Sequence, residues 1–133
     1  WTTFTDPEVA HVGLTEVEAR EKFGPAVTVS LWPIDRVDRA VSDGETDGFV
    51  KVVHKKNGKI LGATIVAARA GEIITEYAIA LKHNLKLLDL AQVIHPYPTY
   101  SIANMQLAGE AAVQGILDGP YGDLIINVAK LVR

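Results

Sequence analysis

The sequence predicts an α+β domain in which helices cover an antiparallel sheet. Three observations lead to this prediction. Strand-like periodicity lies mainly in the first half of the chain, helical periodicity dominates the second half, and Asn57-Gly58 separates two β-type runs. Strands followed by helices are typical of α+β domains. A hairpin joins antiparallel neighbours, which excludes an all-parallel sheet.

The N-terminal segment should lead into a short helix. Residues 2–13 are β-rich or irregular in character. Thr15 and Glu18 then stand at the spacing of a capping box, in which each residue bonds the backbone N–H of the other. Gly24-Pro25 supplies a stop, because glycine ends helices well and proline does not continue them. We therefore expect a helix over 16–23.

The middle of the chain should form the rest of the sheet. Residues 26–33 alternate apolar and polar side chains, the period of a half-buried strand. The polar segment 35–48 is expected to be a loop or a sheet edge. Two further strands, 49–56 and 59–67, flank Asn57-Gly58, a pair that suits a type I′ hairpin turn.

The second half of the chain should be mostly helical. Helices are expected over 71–83, 88–93, 100–117 and 124–132, where apolar residues recur at helical spacing. A stripe of mostly small side chains on the third of these helices permits close approach of another helix. It consists of Ala103, Leu107, Ala111 and Gly115.

Composition places the chain as one globular domain. It has 133 residues, 48% of them hydrophobic, and a formal net charge of −3 without a basic cluster, so nucleic acid is not an expected partner. It has no cysteine and therefore no thiolate or disulfide chemistry of its own. No apolar run reaches the roughly 20 residues that cross a bilayer, which predicts a soluble, cytoplasmic protein without membrane contact. Because the chain begins at Trp1 and its single methionine is Met105, we expect a piece of a longer protein.

The usual signatures of catalytic and cofactor sites are missing. There is no glycine-rich phosphate loop, and the histidines lack metal-ligand spacing, so neither a nucleotide site nor a metal site is expected. The charged groups of 35–39 and the pair Glu72 and Glu76 fit solvated faces or ordinary ion pairs better than acid-base pairs. The segment 94–99 is different, because Pro96 and Pro98 stiffen a loop that carries an imidazole and a phenol.

Three stretches of the chain together point to a known family. They are FTDPEVAHVGLTE at 4–16, then DRA at 38–40 with GFVKV at 48–52, ILGA at 60–63 and GEII at 71–74, and finally DLA at 89–91 before IHPYPT at 94–99. In their order and gaps they resemble the C-terminal dimerisation domain of the pyridine-nucleotide disulfide oxidoreductases, the group of dihydrolipoamide dehydrogenase, glutathione reductase and mercuric reductase. The resemblance extends over nearly all of residues 1–133.

The resemblance implies a larger flavoprotein. Its upstream FAD domain, with a cysteine pair, and its NAD(P) domain would bind FAD and NAD(P)H, so this chain alone would carry no cofactor and have no activity. The resemblance also implies a homodimer in which His95, Pro96, Tyr97 and Pro98 of one subunit lie against the FAD and redox disulfide of its partner. In the family, a histidine in this loop is the acid-base catalyst, and a glutamate three residues after the threonine orients it.

The chain departs from that pattern at the two positions that carry the chemistry. Tyr97 stands in place of the catalytic histidine and Ile102 in place of its glutamate. A phenol has a pKa of about 10, compared with about 6.5 for imidazole, so Tyr97 would donate a proton or a hydrogen bond rather than act as a base. His95 is the second catalytic candidate. Residues two apart in an extended segment lie about 6 to 7 Å apart, so His95 would have to displace Tyr97 or act through water.

Two functions therefore follow from the sequence. The first is a homodimerisation domain, inactive alone, that completes the partner subunit's FAD and redox site in an NAD(P)H-dependent flavoprotein oxidoreductase. The alternative is a free-standing small-ligand binding domain or enzyme that uses the 95–99 loop as a pocket wall. Without the resemblance, the same loop also fits a simple corner between helices.

Overall fold

The computed structural model describes residues 1–131, except for the side chains of Ile125 and Ala129. Five strands form one sheet in the order β1-β2-β5-β4-β3, and all neighbours are antiparallel. The strands are β1 Thr2–Thr3, β2 Glu8–Gly13, β3 Val27–Pro33, β4 Phe49–Lys55 and β5 Ile60–Ala67. The helices are α1 Glu16–Phe23, α2 Asp38–Asp43, α3 Ala70–Lys82, α4 Leu87–Ala91, α5 Ile102–Leu117 and α6 Gly122–Leu131. This architecture confirms the predicted α+β class.

The predicted first helix is confirmed at both of its ends. The Glu18 backbone N–H donates to Thr15 Oγ1 at 3.3 Å, and the Thr15 backbone N–H donates to Glu18 Oε2 at 2.8 Å. Gly24 ends the helix with a φ of 55°, in the left-handed region that glycine enters at little cost. The capping pattern in the sequence was therefore enough to place α1.

The β4–β5 hairpin is confirmed, but the predicted turn type is wrong. Gly58 has a φ of 83°, whereas Asn57 keeps a negative φ, so the two positive angles of a type I′ turn are not present. The Gly58 N–H donates to the Lys55 carbonyl at 2.8 Å, and the Lys55 N–H donates to the Lys59 carbonyl at 2.9 Å. This pattern is a type I turn followed by a glycine bulge, the usual three-residue hairpin connection.

The segment 35–48 contains a helix that the sequence did not predict. A short 3₁₀ turn at Ile34–Arg36 leads into α2, which Gly44 ends with a φ of 75°. Val37 and Ala40 are fully buried and three residues apart, so they lie on one helical face. Charged residues surround this small apolar face and hide its period in the sequence.

The main core lies between one face of the sheet and helices α2 to α5. Alternate residues of β4 and β5 point into it, as strand geometry requires. Its largest fully buried members are Tyr77, Ile34, Ile65, Leu87, Leu107, Val37, Val50 and Val52. A smaller apolar cluster forms under α1 on the other face, around Ala19, Val27, Val53 and Leu61.

The small-residue stripe of α5 is divided between the core and the surface. Ala103 and Leu107 are buried, whereas Ala111 is half-buried and Gly115 is exposed. The second half of α5 thus leaves the body of the domain and meets α6. Within residues 1–131, no helix has both the length and the apolarity needed to cross a bilayer.

Candidate functional site

The loop between α4 and α5 carries the residues that the sequence singled out. The Thr99 hydroxyl donates to the Pro96 carbonyl at 2.7 Å and so closes the loop on itself. The Tyr97–Pro98 peptide bond is cis. Tyr97 is 67% exposed and Ile94 93% exposed, whereas the side chain of His95 is only 6% exposed. His95 therefore faces the domain while its neighbours face outward.

His95 is held in a buried polar network. Its Nδ1 lies 2.9 Å from the Val93 carbonyl oxygen, and its Nε2 lies 3.1 Å from each carboxylate oxygen of Glu76 on α3. Because a carbonyl oxygen only accepts, Nδ1 carries a hydrogen. The contact between Nε2 and the Glu76 carboxyl group is then favourable when one of the two carries a proton that the other accepts. Both ring nitrogens of His95 are thus engaged within its own domain.

Asn104 of α5 is the third side chain of this network. It is fully buried, and its Nδ2 donates to Glu76 Oε2 at 2.7 Å and to the Ile73 carbonyl at 3.2 Å. A buried amide without such partners would be costly. The network therefore fixes the loop to α3 and α5 at once.

The Tyr97 phenol reaches a third helix. Its hydroxyl donates to Oδ2 of Asp38, the first residue of α2, at 2.7 Å. This hydrogen bond, together with the negative charge of Asp38, raises the pKa of Tyr97 above its ordinary value. Tyr97 is therefore a neutral phenol across the physiological pH range.

A second tyrosine ties the loop to the other end of α2. The Tyr100 hydroxyl donates to Asp43 Oδ2 at 3.1 Å, and the Arg39 guanidinium contacts the same carboxylate at 2.8 Å. The hydrogen bond from Arg39 is the main cause that lowers the pKa of Asp43. Burial, followed by the bond to Asp43, raises the pKa of Tyr100. Loop and helix are thus held together at both ends of α2.

Exposed apolar side chains surround the loop and continue on the C-terminal helices. Beside the loop they are Leu88, Val93, Ile94 and Tyr97. On the second half of α5, on α6 and between them they are Val113, Ile116, Tyr121, Leu124, Ile126, Val128 and Leu131. Clustered exposed apolar residues commonly mark an interaction surface.

A depression of about 310 Å³ lies behind the loop. It is lined by Arg69, Glu72, Ile73, Glu76, Thr99, Tyr100 and Ser101. Its volume is near the lower limit of small-molecule pockets, about 300 Å³. Tyr97 and His95 do not line it, so the two catalytic candidates do not converge on this depression. Among residues 1–131, no three His, Asp or Glu side chains are grouped as a metal ion would require.

Two acidic residues have roles that the sequence did not predict. Glu76 was expected on a solvated face or in an ordinary ion pair, and it is half-buried between His95 and Asn104. Asp38 was expected to be an ordinary surface charge but accepts the Tyr97 hydrogen bond. One signal was available, because Asn104 lies among Ile102, Ala103 and Leu107 on the apolar face of α5. A buried amide there needs a polar partner.

The fold and the site define an α+β domain that presents a tyrosine-bearing loop beside exposed apolar side chains. Residues 1–107 match the family described as "Pyridine nucleotide-disulphide oxidoreductase, dimerisation domain". The chain belongs to this family, which confirms the resemblance at the family level.

Similar proteins include dihydrolipoyl dehydrogenases and mercuric reductases. The chain is 42% identical over 110 residues to the dihydrolipoyl dehydrogenase of Halobacterium salinarum, covering 81% of this chain and 23% of that protein. It is 45% identical over 98 residues to the mercuric reductase of Bacillus cereus, covering 73% of this chain and 15% of that protein. The chain thus spans less than a quarter of the length of these two relatives.

Solved structures with a similar fold are also larger than this chain. LpdA from Mycobacterium tuberculosis superposes with a TM-score of 0.76 at 29% identity, covering 83% of this chain and 24% of that one. The Cu(II) complex of the HOCl-induced flavoprotein disulfide reductase RclA from Escherichia coli gives 0.78 at 26% identity, covering 83% and 25%. In both comparisons the matched fold is again about a quarter of the larger protein.

Proposed function

We propose that this chain is a homodimerisation domain that completes the FAD and redox site of its partner subunit in an NAD(P)H-dependent flavoprotein oxidoreductase. The observation that carries the proposal is the contrast within the loop. His95 is fixed in a buried network, while Tyr97, two residues later, is 67% exposed. A loop that is held rigidly and yet faces outward is suited to present a side chain to another subunit.

The proposed partners are a second copy of the chain and the upstream FAD and NAD(P) domains of both subunits. The exposed apolar residues beside the loop and on α5 and α6 support a protein partner, since such residues gain free energy on burial. The family name and the short matched share of each relative support a larger, dimeric protein.

The loop fits one edge of a flavin site rather than a complete site. Pro96 and Pro98 are exposed and flank Tyr97 in the sequence, and the three side chains offer apolar and aromatic surface with one hydroxyl. The chain has no glycine-rich loop for a pyrophosphate, so the upstream domains would hold the rest of FAD. We therefore assign Pro96, Tyr97 and Pro98 to the wall that meets the partner's FAD, and His95 to the buried side of the loop, where it holds that wall in place.

Within that wall the residues have different tasks. The bound flavin and a redox disulfide of the upstream domain would supply the electron transfer. Tyr97 supplies a neutral hydroxyl for hydrogen bonding and proton transfer beside them. His95 was the second catalytic candidate, and we propose that it acts through the loop, because both of its ring nitrogens already have partners.

The first test replaces Tyr97 by Phe in the full-length flavoprotein. Turnover should fall by about 10- to 1000-fold, the range for a lost hydroxyl that hydrogen-bonds or relays a proton. The free energy of unfolding should change by less than about 1 kcal/mol, because the hydrogen bond from Tyr97 to Asp38 is exposed to solvent. Turnover is measured with NADH or NADPH and either lipoamide or Hg²⁺, since the relatives are dihydrolipoyl dehydrogenases and mercuric reductases. Undiminished turnover of Tyr97→Phe would remove the assigned site.

The second test uses the 133-residue chain alone. It should be colourless after purification and should not oxidise NADH or NADPH with either acceptor, because it has neither a phosphate loop nor a cysteine. The full-length protein, purified in parallel, should show flavin absorbance. Stoichiometric flavin on the isolated chain would instead support a free-standing binding domain.

A further inference from the structure

Asp38 and Tyr97 form a carboxylate–phenol pair from distant parts of the chain. The two residues are 59 positions apart in sequence, and their hydroxyl–carboxylate distance is 2.7 Å. Asp38 lies in α2, which is anchored to the core through Val37 and Ala40. The carboxylate therefore has a defined position, although it is exposed to solvent.

The Asp38 carboxylate differs from the Asp43 carboxylate in its charged neighbours. Asp43, at the other end of α2, is shared between Arg39 and Tyr100. Asp38, by contrast, has no Lys, Arg or His within ion-pair distance in the part of the chain that the structure describes. Its negative charge is not neutralised by a partner and so strengthens the hydrogen bond from Tyr97.

The hydrogen bond to Asp38 determines whether the Tyr97 hydroxyl donates or accepts its second hydrogen bond. Its hydrogen is directed at Asp38, which leaves the oxygen lone pairs for a second group. A hydroxyl that donates to a carboxylate is also a better acceptor, because hydrogen bonds in a chain polarise one another. The group that meets the outward side of Tyr97 should therefore be a donor.

We propose that Asp38 is a positioning residue that orients the Tyr97 hydroxyl so that its oxygen accepts a hydrogen bond from a protonated group in the partner subunit's site. This inference rests on the proposed function, which places Tyr97 at that site. Asp38 lies on α2, outside the loop, and would belong to the same site.

The first experiment concerns the pair itself in the 133-residue chain. The Tyr97 phenol is titrated by NMR with ¹³C-labelled tyrosine in the wild type, Asp38→Asn, Asp38→Ala and Asp35→Asn. Because Asp38 raises the pKa of Tyr97, the titration midpoint should fall in Asp38→Asn, which keeps an acceptor oxygen, and fall further in Asp38→Ala. Asp35→Asn, the control, removes an exposed charge three residues before Asp38 and should leave the midpoint unchanged. Equal midpoints in all four proteins would overturn the inference.

The second experiment measures turnover in the full-length flavoprotein, with the faster of lipoamide and Hg²⁺ as acceptor. Asp38→Ala should lower kcat by about 10- to 100-fold without raising KM, and Asp38→Asn should restore part of it. Adding Asp38→Ala to Tyr97→Phe should cost nothing more, because both changes break one interaction. If Tyr97→Phe turns over normally, the proposed function fails. If Tyr97→Phe is slow but Asp38→Ala is normal, the role of Asp38 alone is wrong.

Discussion

Replacing Glu76 by Ala should destabilise the domain through the network that fixes the loop. The Glu76 carboxylate accepts a hydrogen bond from the fully buried Asn104 at 2.7 Å and contacts His95 Nε2 at 3.1 Å. Alanine leaves both groups without this partner. The Asn104 amide keeps only its 3.2 Å bond to the Ile73 carbonyl.

The expected loss follows from these two contacts. A hydrogen bond to a charged group contributes about 1.5 to 3 kcal/mol, and a buried donor left unpaired costs about 1 to 3 kcal/mol. Since the Glu76 side chain is 26% exposed, water will replace part of what His95 loses. We therefore expect a loss of roughly 2 to 4 kcal/mol, with roughly 3 to 5 °C in Tm for each kcal/mol in a domain of this size.

The assay is urea unfolding followed by circular dichroism at one fixed protein concentration. Glu76→Gln is the matched variant, since its amide oxygen can accept from Asn104 and its N–H₂ can donate to His95 Nε2, so it should lose less than about 1 kcal/mol. Glu72→Ala is the control for charge and helix position, because Glu72 is exposed one turn earlier on α3, and it should also cost less than about 1 kcal/mol. If the three variants were equally stable, the network would not hold the loop.

Further predictions concern the core and its titratable groups. Gly62→Ala should cost more than about 3 kcal/mol, since its Cβ would overlap the Leu14 carbonyl, whereas Gly109→Ala, with open space, should stabilise α5 by about 0.5 to 1 kcal/mol; urea unfolding checks both. Tyr77→Phe should raise stability by about 1 kcal/mol, because the buried Tyr77 hydroxyl has no hydrogen-bond partner among the described residues. Burial raises the pKa of Tyr77, so the contribution of the neutral Tyr77 side chain to stability is complete below about pH 10 and is lost as the pH rises further. Tyr77→Phe should weaken this alkaline loss of stability. An unchanged loss would show that other groups cause it. Burial lowers the pKa of His54, so the contribution of neutral His54 to stability is complete above about pH 6.5 and is lost as the pH falls through the folded-state pKa. His54→Gln should weaken this loss of stability in acid, measured by thermal unfolding. An identical pH profile in the two proteins would contradict this prediction.

The predictable part of the fold is the part encoded by neighbouring residues. The capping box at Thr15 and the Asn57-Gly58 turn involve residues at most three apart, so α1 and the hairpin could be placed from sequence. Helix α2 could not, because it has six residues and only one of them is buried. It is held instead by Tyr97 and Tyr100, whose bonds to it span 59 and 57 residues.

The site shows the same limit. The loop was recognised from its two prolines and its resemblance to the family, both of which can be read along the chain. The outward position of Tyr97 and the inward position of His95 depend on carboxylates from α2 and α3. The bond from Asn104 to Glu76 joins residues 28 apart, and no local pattern connects them. Sequence therefore identified the loop but not the side chains that orient it.

The mass of the 133-residue chain in solution tests the central claim, homodimerisation, most directly. Light scattering or sedimentation equilibrium from micromolar to millimolar concentration should give twice the 14.4 kDa of one chain, because interfaces of obligate dimers are large and apolar. The exposed apolar side chains beside the loop and on α5 and α6 should be covered in that dimer. A mass of 14.4 kDa across the whole range would contradict the account.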